Sequence, residues 1–470
     1  MSNQKITIVG AGLVGALLAT LLAQRGFTVD VFERRPDPRR SGFLGGRSIN
    51  LALAERGWHG LRLAGLSETL KPLAVMMRGR MVHAIDGETN LQRYGRDDSE
   101  VIWSINRGAL NIALLDAAQR AGANISFDRR LVSAEWAPSG NDSVLHFIDD
   151  TSSATFSHSA HCVIGADGAG SALRQAMSAQ TDLGERFEPL DHAYKELEIP
   201  ALHGVQKFAM EANALHIWPR GNYMCIALPN AEGSFTVTLF LPNHSGPDQA
   251  APSFDTVRTG VEAHALFARQ FRDALALIPE LEKDFDHNPT GVLGTLYLDR
   301  WHIDGRVLLV GDAAHAIVPF HGQGMNCGFE DAVELAELLE NPAQNFADAF
   351  AQFERRRKPN ADAIAAMALE NYVEMRDRVD DADFLLMRAL ERVLAARHPG
   401  RFVPRYWMVT FSRLPYAVAF ERGEIQSAIV RELTAGKARI EDVDLARADA
   451  LIEARLTPLP DTTDANNPRN

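Results

Sequence analysis

Within its first 33 residues the chain runs Lys5-Ile6-Thr7-Ile8-Val9, then Gly10-Ala11-Gly12-Leu13-Val14-Gly15, then a small-residue stretch over 16–25, then an apolar run over 28–32 that closes on Glu33. An apolar strand feeding glycines at this spacing, followed by a helix and a second strand ending in an acid, predicts a βαβ unit built around a dinucleotide. Gly10 permits the tight turn, Gly12 lets a pyrophosphate approach the backbone, and Gly15 lets helix pack on strand. Unpaired N–H groups and the helix dipole then hold the phosphate charge. Glu33 stands where a carboxylate accepts from the adenosine ribose hydroxyls. Glycines alone would mark an ordinary turn; the strands, helix and terminal acid around them reject that reading.

With 470 residues, two or three domains and a sizeable core are expected. The formal charge of −13 argues against a nucleic-acid partner, and no basic patch offsets it. Cys162, Cys225 and Cys327 lie far apart and form no CxxC, so neither a disulfide framework nor a zinc site is expected. That pattern points to a reducing compartment. The first strand begins at Lys5, so no signal peptide is expected. No apolar run approaches the roughly 18 residues of a membrane span. A cytoplasmic protein without a membrane span is expected.

Periodicity predicts a loop over 34–40, a helix over 51–64, and strands over 78–84 and 90–94 joined at Asp86-Gly87. A helix over 106–121 and strands over 131–135, 144–148 and 161–164 follow. Residues 194–241 read as β-rich, with Met224, Ile226 and Leu228 on one strand face and 236–241 as the partner strand. A helix over 257–277, a buried strand over 307–310 and a long helix over 328–339 come next. From 361 onward helices dominate, interrupted by an aromatic stretch over 401–416.

Two further strand ends carry acids beside glycine: Val163-Ile164-Gly165-Ala166-Asp167-Gly168, and Val310-Gly311-Asp312-Ala313-Ala314-His315 leading to Gly322-Gln323-Gly324-Met325-Asn326. Each alone is turn chemistry. After the first fingerprint they supply what a long dinucleotide needs. Asp312 would accept from a sugar-like hydroxyl chain, and N–H groups at Gly324, Met325 and Asn326 would face the polar edge of a ring system. The three signals together favour a flavin over a nicotinamide held in the fold.

The set GxGxxG, Gly-Ala-Asp-Gly and Gly-Asp-Ala-Ala-His resembles the single-component FAD-dependent aromatic hydroxylases, which have one nucleotide fold and no separate NADPH domain. Five stretches narrow the likeness to the kynurenine 3-monooxygenase family, of the soluble bacterial type: 46–54, 77–81, 215–220, 318–326 and 408–413. It extends from the first strand to about residue 430.

The resemblance implies an α/β fold, a Rossmann-like FAD-binding domain interleaved with a β-sheet substrate domain, plus a C-terminal helical region. The expected division is 1–75, 98–180 and 286–375 for FAD, 76–97 and 181–285 for substrate, and 376–470 for the helical region, frayed over 458–470. It implies bound FAD, with NADPH and O2 as co-substrates, and hydroxylation of L-kynurenine to 3-hydroxy-L-kynurenine through a C4a-hydroperoxide, in tryptophan degradation. Val14, Arg34, Arg35, Ala52, Arg107 and Leu131 join Gly10, Gly12, Gly15, Glu33, Asp167, Asp312 and the 324–326 turn as expected cofactor residues.

An L-kynurenine site needs a carboxylate clamp, an apolar slot for the aniline ring, and exclusion of water. By resemblance Arg80, Tyr94, Asn371 and Tyr406 hold the amino-acid end. Read by themselves, Arg80 suits a surface position, Tyr94 and Tyr406 suit packing, and Asn371 suits local capping. Ile102, Leu215, Met224, Ile226, Leu228 and Phe240 would wall the ring, with Met375 beside them. Phe320 and His321 would stand near the reacting carbon. No acid or base is assigned, because the amine already activates the ring. Two other readings stay open: a flavin hydroxylase of a salicylate-like phenol, and a non-catalytic protein using this fold to bind a partner chain. The C-terminal helices are equally suited to a homodimer face or a cap on the pocket.

Overall fold

Lys5–Val9 enters the glycine turn as expected, in a computed structural model that describes residues 4–41, 50–95, 97–138, 141–246, 251–341, 344–377 and 382–459. Residues 46–49 of the 46–54 motif and the tail beyond 459 lie outside the described residues. The first strand pairs in parallel with Thr28–Phe32 on one side and Val163–Gly165 on the other. Val307–Leu309 continues this sheet in parallel, His302–Ile303 closes one edge and Asn124–Ser126 the other. Ile6, Ile8, Val163, Ile164, Val307 and Leu308 are fully buried, as strands covered on both faces require. All three sequence signals therefore end neighbouring parallel strands at the same edge, where ligands bind in open α/β sheets.

A seven-stranded sheet forms the second layer: Gly291–Tyr297, Arg186–Ile199, Phe235–Pro242, Met224–Pro229, Ala214–Pro219, Gly79–His83 and Thr89–Arg93, in that order. Period-two alternation divides its two faces. Val237, Leu239 and Leu241 pack outward against the helices Gly260–Gln270 and Leu281–His287. Met224, Ile226, Leu228 and Phe240 face the other way.

Several expectations shift. Residues 51–64 are not one helix: Leu51–Leu53 is a strand paired with Ile102–Ile105, and the helix is Glu55–Leu63. Local composition reads as helical there, but the sheet edge at 102–105 captures the first three residues. Pro38–Ser41 forms a helical turn inside the expected loop. The helix after the 322–326 glycines starts at Gly324 instead of 328. Strand Gly291–Tyr297 hydrogen-bonds into the seven-stranded sheet, so the expected return to the nucleotide fold at 286 comes too early.

Cys162, Cys225 and Cys327 are buried and unpaired. Among the described residues no helix is long and apolar enough to cross a membrane.

Candidate active site

The fold brings the three glycine turns and one face of the second sheet around a cavity of about 870 Å³. At one end Gly10, with φ +102°, turns the chain so tightly that a Cβ there would stand 2.5 Å from the Ala166 carbonyl oxygen. A Cβ on Gly15 would stand 2.0 Å from the Gly10 oxygen, so Gly15 serves helix–strand contact and does not border the cavity. Gly12 differs: nothing lies within 4 Å of its missing Cβ, which leaves an open cradle before the N-terminus of helix Leu13–Gln24. Glu33 closes this end, its carboxylate accepting from Ala11 N at 2.7 Å and from Arg35 N at 2.9 Å.

Val14, Arg34, Arg35, Ala52, Arg107 and Leu131 border the same cavity, as do Asp167 and Asp312. Asp167 also caps a helix, accepting from Ser171 Oγ at 2.5 Å and Leu173 N at 3.1 Å, and burial raises its pKa. Asp312 follows Gly311, whose φ of +59° swings the chain from strand to helix and leaves the carboxylate exposed at the cavity. Gly324 and Met325 begin a 16-residue helix whose N-terminus borders the cavity. Asn326 does something else. Its side chain is fully buried, accepts from Ala54 N at 3.0 Å, and donates to Ala52 O at 2.8 Å and Gly322 O at 3.0 Å. It ties the 51–54 strand to this helix, and only its backbone is available for a ring. The open cradle at Gly12, the strand-end acids and the helix N-terminus fit FAD.

At the other end stands Arg80, on strand Gly79–His83. Its guanidinium lies 5.8 Å from the ring centres of both Tyr94 and Tyr406. Those rings stack at 5.4 Å and 17°, and Tyr406 also stacks on His321 at 5.7 Å and 16°. Burial raises the pKa of both phenols, which therefore remain O–H donors. Among the described residues no carboxylate pairs with Arg80. Asn371 donates to the Phe320 carbonyl at 2.6 Å, which fixes the amide's orientation.

Ile102, Leu215, Met224, Ile226, Leu228 and Phe240 line the cavity together with Phe320, His321 and Met375, and Phe240 packs on Phe320 with ring centres 5.2 Å apart. Desolvation pushes His321 down to about 4, with Arg80 and Arg405 adding to the effect, and its Nδ1 has no partner among the described residues. It is a neutral imidazole near pH 7.

Sequence reasoning missed Thr238, which is 2% exposed, borders the cavity beside Phe240, and has a hydroxyl with no partner among the described residues. The signal was present, since period two places Thr238 on the face of Phe240. Leu293 and Val318 were also missed. The first lies on strand Gly291–Tyr297, where no strand is expected from the sequence, and the second in a loop without periodicity.

Desolvation pushes both the half-buried His321 and the buried His216 down to about 4, which makes stability depend on pH. The unfolded chain binds protons near 6.5 that the native state refuses, so stability falls as pH drops from 6.5 towards 4. Each group costs about 2 kcal/mol at pH 5 relative to pH 8. Tm is expected to drop by several degrees between those values, and His216→Gln to reduce the drop in a thermal melt.

The FAD binding domain family matches residues 3–368. Among solved structures, 2-methyl-3-hydroxypyridine-5-carboxylic acid oxygenase superposes with a TM-score of 0.62 at 21% identity, covering 82% of this chain and 96% of that one. PqsL of Pseudomonas aeruginosa, solved with 2-aminobenzoylacetate, gives 0.64 at 21%, covering 80% and 97%. Fold, site and family match define an FAD-dependent monooxygenase of the aromatic hydroxylase class.

The kynurenine 3-monooxygenase of Xanthomonas axonopodis pv. citri is 58% identical over 459 residues, 98% of each chain. That of Xanthomonas campestris pv. campestris is 56% identical over 458 residues, 97% of this chain and 98% of its own. The chain belongs to the kynurenine 3-monooxygenase family.

Proposed function

We propose that this enzyme hydroxylates L-kynurenine to 3-hydroxy-L-kynurenine, consuming NADPH and O2, within tryptophan degradation in the cytoplasm. The observation that carries the reading is the half-buried Arg80, flanked by Tyr94 and Tyr406 in the same cavity that the helix N-terminus at Gly324 borders. The family membership supports the same substrate. In this reading the six-stranded sheet carries FAD and the seven-stranded sheet carries substrate.

Arg80 forms a bidentate pair with the substrate carboxylate while the two phenols donate to it. The Asn371 amide is held by Phe320 with its oxygen left to accept from the substrate ammonium. The apolar walls hold the aniline ring and exclude water, which suppresses loss of oxidising equivalents to H2O2. Bound FAD supplies reduction by NADPH and activation of O2. A neutral His321 accords with an aniline substrate, whose amine activates the ring without a strong base.

NADPH oxidation by the FAD-loaded protein, with and without L-kynurenine, tests the proposal when followed by product analysis. Strong stimulation with 3-hydroxykynurenine formed is expected. A yellow protein that L-kynurenine does not stimulate would remove the substrate assignment while leaving the flavin enzyme in place.

A further inference from the structure

The stretches 46–54 and 408–413 meet through the side chain just beyond the first, and of their described residues Asn50, Leu51 and Ala52 border the cavity. Arg56 is 1% exposed. A buried guanidinium is costly unless its donors are satisfied. Here Nε donates to Val409 O at 2.8 Å, one terminal nitrogen donates to Met408 O at 3.2 Å and to Leu414 O, and the other to Glu330 Oε1 at 2.6 Å. Its plane lies 3.9 Å from the centre of the Tyr416 ring, whose hydroxyl donates to Gln323 Oε1 at 2.9 Å.

The recipient is the helix Arg405–Thr410, which carries Tyr406. Six residues cannot hold a helix in water without tertiary contacts. Carbonyls at its C-terminal end lack intrahelical partners and carry the negative end of the dipole, so a cation there both caps and attracts. Arg56 supplies that cap from another part of the chain. The donor helix, Glu55–Leu63, is itself pinned by Asn326, which bonds Ala52 and Ala54 from the helix whose N-terminus faces the flavin position. A continuous set of bonds thus links the Gly324 turn to the phenol of the clamp.

We propose that Arg56 is the positioning residue for the substrate clamp. By capping the Arg405–Thr410 helix it sets where Tyr406 stands against Arg80 and Tyr94, and it makes that placement depend on the cofactor-facing helix. The proposal rests on the assignment of Tyr406 to substrate binding.

The test compares Arg56→Met and Arg56→Lys in the FAD-loaded full chain. Arg357 still pairs with Glu330 at 3.2 Å, so the methionine variant leaves no orphaned carboxylate; if it does not fold, the lysine variant carries the same test. Amide hydrogen exchange over 405–411 is expected to quicken at least about tenfold, with the amides of 10–16 unchanged. KM for L-kynurenine is expected to rise about tenfold, more than kcat changes. In a Tyr406→Phe background the same substitution is expected to add less than about twofold, because the two residues act as one unit. Unchanged exchange over 405–411, or effects on KM that multiply independently, would overturn the proposal. If the wild type ignores L-kynurenine, the substrate reading fails while the exchange result still decides the role of Arg56.

Discussion

Arg80→Met is expected to raise KM for L-kynurenine by about two to three orders of magnitude while leaving FAD affinity unchanged. The reason is the asymmetry between making and breaking a buried charge pair. A substrate carboxylate entering this slot gives up its hydration, and only a bidentate guanidinium returns it; removing one partner of such a pair costs about 2–5 kcal/mol. The two tyrosines cannot compensate. Burial keeps both phenols protonated, so they donate hydrogen bonds but bring no positive charge. Lysine is expected to rescue little, because an ammonium lacks the planar fork that pairs with a carboxylate through two parallel hydrogen bonds. Steady-state NADPH oxidation against substrate concentration reads KM, and flavin fluorescence on titration reads FAD affinity. A KM within about threefold of wild type would move the carboxylate elsewhere.

Gly12→Ala and Gly15→Ala are expected to fail differently. At Gly12 the backbone, with φ −66° and ψ −172°, suits any residue, and a methyl group meets no protein atom within 4 Å. The apoprotein is therefore expected to fold with an unchanged Tm. FAD affinity is expected to fall by about a hundredfold, since the methyl occupies the approach of the pyrophosphate. At Gly15 the methyl would stand 2.0 Å from the Gly10 oxygen, so the first turn itself must open. That variant is expected to lose both FAD and stability, by several kcal/mol as in other overpacked or strained sites. Thermal melts of the apoproteins alongside FAD titrations separate the two. A Gly12→Ala protein that binds FAD normally would show that the pyrophosphate does not lie against this residue.

The parts of the molecule legible in the sequence share one property: their conformation is dictated within a few residues. The turn at Gly10 needs a positive φ and sits directly between a strand and a helix, so type and spacing reveal it. The hairpin at Asp86-Gly87 and the alternating face of Met224, Ile226 and Leu228 are local in the same sense. The short strand Leu51–Leu53 is not. Its residues read as the start of a helix, and only pairing with Ile102–Ile105 overrides that preference. Gly291–Tyr297 lies within the range expected for the nucleotide fold but pairs with Arg186–Ile199 of the other sheet, because a strand's sequence does not say which sheet edge receives it.

The site divides along the same line. The glycine turns and the strand-end positions of Glu33 and Asp312 are legible in the sequence, because each is set by local backbone conformation where a strand runs into a turn. Thr238 followed from period two and was overlooked. The clamp belongs to the tertiary structure. Arg80, Tyr94 and Tyr406 come from a strand, the end of a hairpin and a six-residue helix more than 300 residues later in the chain. Taken individually each suits a bland surface or packing role, and the resemblance to a family is what singled them out in advance. Their stacking geometry, and the buried arginine that fastens the last of them, exist only once distant segments are brought together. Sequence determines local backbone conformation and the pattern of burial. The meeting of side chains across a cavity depends on how whole layers pack, which no short stretch of this chain encodes.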